Sequence, residues 1–267
     1  MVRVLTGRRL LITGASSGIG RCLAEQAAEA GAHLVLAARS ADKLEEVARS
    51  LARPTAPVVA VPADVSREED RQRLIQTTVH ELGGLDVLVN NAGVASHGHF
   101  GTSSETVLRE VMEVNFFAPA ELIRLAIPHL RYARQPAVVN VASMCGRRGI
   151  PAYTEYSASK FALCGLTEAL RGEMARFDID VLLVVLGLTR TEFASHQLRR
   201  DGRFQIEFDK GMEPEDVARD VLRALVKNRT EVVLGREARW LLRVNRFLPR
   251  LVDRLMARKV RQLYGQA

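Results

Sequence analysis

Short apolar runs rich in β-branched residues alternate along this chain with longer stretches whose apolar positions recur at helical spacing. The runs Leu10–Thr13, His33–Ala38, Val58–Val61, Val87–Asn90, Val138–Ala142, Val181–Leu186 and Val232–Leu234 read as strands. Between them, Gly20–Ala30, Ala41–Leu51, Arg67–Leu82, Glu105–Tyr132, Tyr156–Phe177 and Pro214–Lys227 read as helices. The strands are apolar nearly throughout rather than at every second position, which suits strands covered on both faces. Strand–helix–strand order with right-handed crossovers gives an α/β fold, a doubly wound parallel sheet of Rossmann-like form with helices on both faces. Ligands bind such sheets beyond the carboxyl ends of the strands, so the chemistry is expected in the residues that follow them.

The first strand runs into Thr13-Gly14-Ala15-Ser16-Ser17-Gly18-Ile19-Gly20, and a helix follows. Glycines let the backbone turn tightly and approach a pyrophosphate, and the free N–H groups of a helix start favour its charge. At the end of the second strand an NAD site usually offers an acid to the ribose 2′-hydroxyl, whereas arginine suits a 2′-phosphate. Here the strand ends Leu36-Ala37-Ala38-Arg39-Ser40, so NADP (NADPH) is the expected cofactor, with Arg39 stacked on adenine and forked to phosphate. Asp64-Val65 after the third strand is placed to meet the adenine edge. Asn90-Asn91-Ala92-Gly93 after the fourth supplies small residues and amides where the chain passes the cofactor.

Tyr156-Ser157-Ala158-Ser159-Lys160 puts a phenol and an ammonium one helical turn apart on the same face. A phenol is a poor base at neutral pH, and a nearby lysine charge stabilises its phenolate and brings it toward the working range. Ser143, at the end of the fifth strand, offers a hydroxyl to hold a substrate oxygen. These motifs, taken in order with Asn115 and the segment around Gly187, resemble the short-chain dehydrogenase/reductases of single-domain type over residues 7–235. The resemblance implies a catalytic tetrad of Asn115, Ser143, Tyr156 and Lys160. Tyr156 would protonate a carbonyl as NADPH delivers hydride, and Ser143 would polarise that carbonyl. Lys160 would bind nicotinamide ribose hydroxyls, and Asn115 would hold a water relaying protons to Lys160. It also implies that Gly187, Thr189 and Thr191 hold the nicotinamide carboxamide. One departure stands out: where the family commonly has Pro-Gly, this chain has Leu186-Gly187, which removes a fixed φ from the loop.

At 267 residues and 47% hydrophobic content the chain can bury one substantial core. Three cysteines without ligand spacing favour a reducing compartment, and Met1 to Leu11 is too short and too basic for a signal peptide, so a cytoplasmic protein is expected. No metal-ligand pattern includes His97 or His99.

The net charge of +7 is local. Nine basic and two acidic residues follow from Arg236 onward, while the rest carries 29 of each. The expected division is therefore a Rossmann-like domain over 1–235 and a basic amphipathic helical tail over 236–267. Trp240, Leu241, Val244, Phe247, Leu248, Leu251, Val252, Leu255 and Met256 fall on one half of the tail's helical wheel. Arg239, Arg243, Arg246, Arg250, Arg254 and Arg261 fall beside them, and Pro249 splits the run. Such a pattern reads as membrane-surface contact, peripheral rather than spanning, or as a stripe that packs on the domain, closes its pocket or meets another subunit. Nucleic acid is not expected of a chain that is neutral elsewhere and lacks a recognition motif.

Thr191 to Gly211 falls where the family carries a substrate lid, in which Phe193, Phe204, Ile206, Phe208 and Met212 either line an apolar pocket or pack the lid down. The expected activity is reduction of an apolar, lipid-like ketone or aldehyde, or oxidation of the corresponding alcohol. The family resemblance makes a homo-oligomer the default expectation. The rival reading is a non-catalytic NADP-binding redox sensor or scaffold.

Overall fold

The computed structural model describes residues 2–193, 197–204 and 208–265. Strand β1 (Arg9–Thr13) leads into α1 (Gly18–Glu29), β2 (His33–Ala38) into α2 (Ala41–Leu51), and β3 (Val58–Pro62) into α3 (Glu68–Leu82). After β4 (Val87–Asn90) come the two-residue β5 (Ser96–His97), α4 (Glu105–Met112), a π-helical turn over Glu113–Phe117, and α5 (Ala118–Leu130). Then β6 (Ala137–Ser143) feeds α6 (Thr154–Met174). After β7 (Asp180–Leu186) the chain passes the two-residue β8 (Arg199–Arg200) to α7 (Pro214–Val226) and β9 (Glu231–Leu234). Helices α8 (Arg236–Phe247) and α9 (Pro249–Tyr264) follow.

Seven strands form one sheet in the order β3-β2-β1-β4-β6-β7-β9, every pair parallel. Successive residues of a strand point to opposite faces, and here both faces are covered. Leu10 and Ile12 of β1, with Leu34 and Leu36 of β2, join Leu23 and Ala27 of α1, Leu44 of α2 and Val221 of α7 in one apolar layer. Leu11 and Val35, one residue along, join Leu74 of α3 and Leu122 of α5 in the other. That two-sided burial is why the strand sequences do not alternate. The chain reverses its direction of winding between β1 and β4, so the turns after these strands part and leave a cleft at the carboxyl edge.

The strands lie within a residue or so of their expected positions, but the helix expected over Glu105–Tyr132 is not continuous. A bond from the Ala118 N–H to the Glu113 carbonyl, five residues back, widens one turn around Asn115. Asn115 is fully buried there, and its side chain is bound to a different part of the chain, which periodicity cannot reveal. The tail does divide at Pro249, which opens α9 at a position where its missing N–H costs nothing.

Candidate active site

The turn after β1 is built for close approach. Gly14 has φ +67°, and a methyl on Gly20 would stand 2.0 Å from the Gly14 carbonyl oxygen and 2.5 Å from Asn91 Nδ2. Ser17 precedes α1 in an extended conformation, makes no side-chain cap, and the first turn carries no acid. The N–H groups of that turn therefore face the cleft unspent, a ready site for an anion. Asn91 Nδ2 donates to the carbonyls of Thr13 (3.0 Å) and Gly14 (3.2 Å), and Thr13 Oγ1 accepts from the N–H groups of Asn91 (3.0 Å) and Ala92 (3.1 Å). Asn91 thus ties the two loops at the switch point together, a structural task that its place in the sequence did not reveal. Gly20→Ala is expected to abolish cofactor binding and lower thermal stability by about 2 kcal/mol or more, since backbone must move to admit the methyl. Calorimetry and a cofactor fluorescence titration of the variant check both.

One cleft of about 990 Å³ collects nearly all the residues singled out in the sequence. Gly14, Ser16, Ser17, Gly18, Ile19 and Gly20 line one end with Arg39, Asp64 and Val65. Asn91, Ala92 and Gly93 line its middle; Ser143, Tyr156, Lys160, Gly187, Thr189 and Thr191 line the other end. Arg39 is exposed and has no ion-pair partner among the described residues. Nearby, Lys43 of α2 pairs at 3.6 Å with Glu192 of the loop after β7. Asp64 is partly committed, its Oδ1 accepting from the N–H (3.0 Å) and hydroxyl (2.7 Å) of Ser66. The loop with Leu186-Gly187 is held without the proline: the Gly187 N–H donates to Leu234 O at 2.9 Å, and Leu188 and Arg190 exchange backbone bonds with Met212. Met212 accordingly packs against the sheet core and not in the pocket.

At the other end of the cleft β6 and α6 fix the side chains. Ser143, the last residue of β6, is buried and accepts from the Cys145 N–H at 3.2 Å. Tyr156 and Lys160 sit one turn apart on α6, both buried; Lys160 Nζ lies 5.8 Å from the Tyr156 ring centre and donates to Val141 O at 3.0 Å. Asn115 does not line the cleft. Its Oδ1 accepts from the Val94 N–H (2.9 Å), and its Nδ2 donates to Val94 O (2.8 Å) and Ser159 Oγ (2.9 Å). Ser159 Oγ in turn donates to Tyr156 O at 2.8 Å, so Asn115 braces the helix that carries the tyrosine.

Burial governs the titration here. It pushes the Tyr156 phenol well above its ordinary range, against the pull of a hydrogen bond with Ser143. Burial decides the direction, and Lys160 does not reverse it, because the phenolate would be the ion stranded in low dielectric. Lys160 shifts in the opposite sense, down to about 8, for the same reason. Burial raises the Cys145 thiol to about 11, so it is an inert packing group. At neutral pH the pair is a phenol beside an ammonium, an acid ready to give a proton and a cation to hold the resulting anion.

The cleft is apolar around Tyr156. Tyr153 stacks on His97 (ring centres 4.7 Å apart), Phe193 meets Tyr156 at 5.7 Å, and His97 Nε2 is 2.9 Å from Phe204 O. Phe193, Phe204 and Phe208 line the cleft; Ile206 lies outside the described residues. Trp240 and Leu241 of α8 and Met256 of α9 line it too, and Leu241, Met256, Val260 and Leu263 pack on the cluster formed by Ile150, Tyr153, Tyr156 and Phe204. The tail is fastened there: Arg148 binds Asn245 (3.1 Å) and Asp253 (2.5 Å), and the Arg203 N–H donates to the Tyr264 hydroxyl at 2.9 Å. Tyr153 escaped the sequence reading, whereas a tail that packs on the domain and closes its pocket was one of the alternatives that the amphipathic pattern offered. Glu155, next to Tyr156, is buried with no hydrogen-bond donor to either oxygen among the described residues.

Comparison with known proteins agrees with this geometry. Residues 8–201 match the short chain dehydrogenase family model. The chain is 35% identical over 264 residues to dehydrogenase/reductase SDR family member 7B of Bos taurus, covering 95% of this chain and 81% of that one. It is 40% identical over 199 residues to a hydroxysteroid 11-beta-dehydrogenase 1-like protein of Gallus gallus, covering 73% and 69%. A short chain dehydrogenase/reductase from Burkholderia phymatum, solved in complex with NAD, superposes with a TM-score of 0.85 at 26% identity over 93% of this chain and 96% of its own. The chain belongs to the short-chain dehydrogenase/reductase family, oxidoreductases that use a nicotinamide cofactor to interconvert alcohols and carbonyls.

Proposed function

We propose that this protein is a carbonyl reductase that prefers NADPH and acts on an apolar ketone or aldehyde, with Tyr156 as general acid. The observation that carries the reading is one cleft holding Tyr156, Ser143 and Lys160 at one end and the uncapped start of α1 with unpaired Arg39 at the other. A dinucleotide fits these residues. The Gly14 carbonyl and the Asn91 amide occupy the place of a Gly20 methyl, which keeps the turn tight against α1, and the open N–H groups of α1 suit a pyrophosphate. Ser16, Ser17, Gly18 and Ile19 would hold that group. Asp64 and Val65 would meet the adenine, Ala92 and Gly93 the central stretch, and Gly187, Thr189 and Thr191 the nicotinamide amide. Bound there, NADPH supplies the hydride that reduces the carbonyl carbon.

The rest is the work of the chain. Ser143 donates to the carbonyl oxygen and holds it beside Tyr156, whose phenolic proton passes to that oxygen as negative charge develops on it. The tyrosinate left behind is stabilised by the Lys160 ammonium and takes a proton back through it. Since the Asn115 side chain is committed to Val94 and Ser159, a water held by Asn115 falls to its main-chain carbonyl in the widened turn. The apolar lining by Phe193, Phe204, Leu241 and Met256 favours a hydrocarbon substrate. The similarity to the Gallus gallus hydroxysteroid 11-beta-dehydrogenase 1-like protein points the same way.

The test is cofactor oxidation with apolar ketones, aldehydes and ketoacyl thioesters, each offered with NADPH and with NADH. Turnover of apolar members with NADPH favoured at least about tenfold is expected, and Arg39→Asp should reverse that preference. An unchanged preference in Arg39→Asp would remove the NADP assignment. Tight NADPH binding without turnover of any carbonyl would favour the sensor reading instead.

A further inference from the structure

The tail's inner face is accounted for by the pocket; its outer face is not. Among the described residues Trp240, Phe247, Leu248, Leu251 and Leu255 are between 43 and 76% exposed, an unusual concentration of large apolar side chains at a surface. Trp240 and Phe247 lie seven apart on α8, and Leu251 and Leu255 four apart on α9, so each pair forms a stripe along its helix. Arg239, Arg243, Arg246, Arg250, Arg254 and Arg258 stand exposed on the same two helices. None of the six has an ion-pair partner among the described residues, and the nearby Asp253 is taken by Arg148. Six of the nine basic residues in the segment that carries the protein's net charge therefore sit unneutralised around an apolar surface. Through Trp240, which is both exposed and part of the cleft lining, that surface is continuous with the pocket mouth.

We propose that the outer face of α8 and α9 docks this protein onto an anionic lipid surface, its arginines on the headgroups and its apolar stripes among the acyl chains. Charge selects this partner. A second copy meeting the face by two-fold symmetry would set arginines against arginines, with no acid free on the helices to offset them but Glu237. An anionic bilayer offers negative headgroups above hydrocarbon, the complement of both features. Among the described residues no helix is long and apolar enough to cross a membrane, so the contact is interfacial. The docking does not depend on which carbonyl is reduced.

The experiment is co-sedimentation of the full chain with vesicles of phosphatidylcholine, alone or with about one-third phosphatidylserine. Binding is expected on the anionic vesicles, at least about tenfold weaker without phosphatidylserine and similarly weaker in high salt. The combined variant Arg243→Gln/Arg250→Gln/Arg254→Gln should lose about tenfold in partitioning, as should Phe247→Ser/Leu251→Ser/Leu255→Ser. None of these residues lines the cleft, so unchanged NADPH binding and melting temperature establish that the variants fold. Wild type that stays in the supernatant, or variants that sediment like wild type, would overturn the proposal. So would self-association that the same substitutions abolish in a chain that ignores vesicles, which would make the face a subunit interface.

Discussion

Replacing Tyr156 with phenylalanine is expected to lower carbonyl turnover about a thousandfold while leaving NADPH affinity within a few-fold of wild type. The change removes one oxygen. The ring that packs against Tyr153 and Phe193 stays, and the brace from Asn115 through Ser159 acts on the Tyr156 main chain, so the helix should keep its place. What is lost is the proton donor. In its absence the developing alkoxide has only the Ser143 hydroxyl, and about 4 kcal/mol of barrier returns. Single-turnover kinetics with a fluorescence titration of NADPH separates the two quantities. Turnover that survives in Tyr156→Phe would move the acid role to another group and remove the mechanism proposed above.

Lys160→Met should produce the unusual pairing of a more stable protein with a nearly inactive one. Burial pushes this lysine down to about 8, so below that pH the fold carries a charge that it disfavours by about 3 kcal/mol relative to the unfolded chain. Removing the charge also removes the ammonium's hydrogen bond to Val141 O, which offsets about 2 kcal/mol, leaving a net gain of about 1 kcal/mol at neutral pH. The sign with pH follows from proton counting. Between about 8 and the lysine's ordinary value of 10.5 the unfolded chain binds the proton and the folded one does not, so wild-type stability rises with pH there. The advantage of Lys160→Met should therefore be greatest below pH 8 and shrink toward pH 10. Melting curves of both proteins across that range, in the absence of cofactor, check it. Turnover should fall at least about a hundredfold, because the tyrosinate formed after proton transfer loses its cation.

The placement of these two residues was legible from the sequence because it is local: four positions on one helix fix their relation before any tertiary contact is known. The strands were legible for a similar reason, since a run such as Val181–Leu186 is apolar on both faces and has few other places to go. What stayed hidden depends on partners distant in the chain. The π-helical turn is held by Asn115 reaching Val94, and the work of Asn91 is visible only once β1 and β4 lie side by side. The lysine's effect on Tyr156 was misjudged because a sequence shows which charges are near but not how little water is. The tail pattern showed amphipathic helices, yet only the fold distinguishes Leu241 and Met256, turned into the pocket, from Leu251 and Leu255, turned away.

The covering of the pocket by α8 and α9 separates two kinds of inheritance within one chain. The groups proposed to carry out the reaction lie between Gly14 and Thr191, whereas part of the wall that a substrate would meet, Trp240, Leu241 and Met256, is written in the last thirty or so residues. That stretch has its own place in the chain, apart from the glycine turn and Arg39, and touches the tyrosine only through the apolar cluster around Tyr153 and Phe204. Exchanging residues 236–265 would therefore rebuild one wall of the pocket while Tyr153, Phe193 and Phe204, and the residues proposed for the chemistry, stay in place.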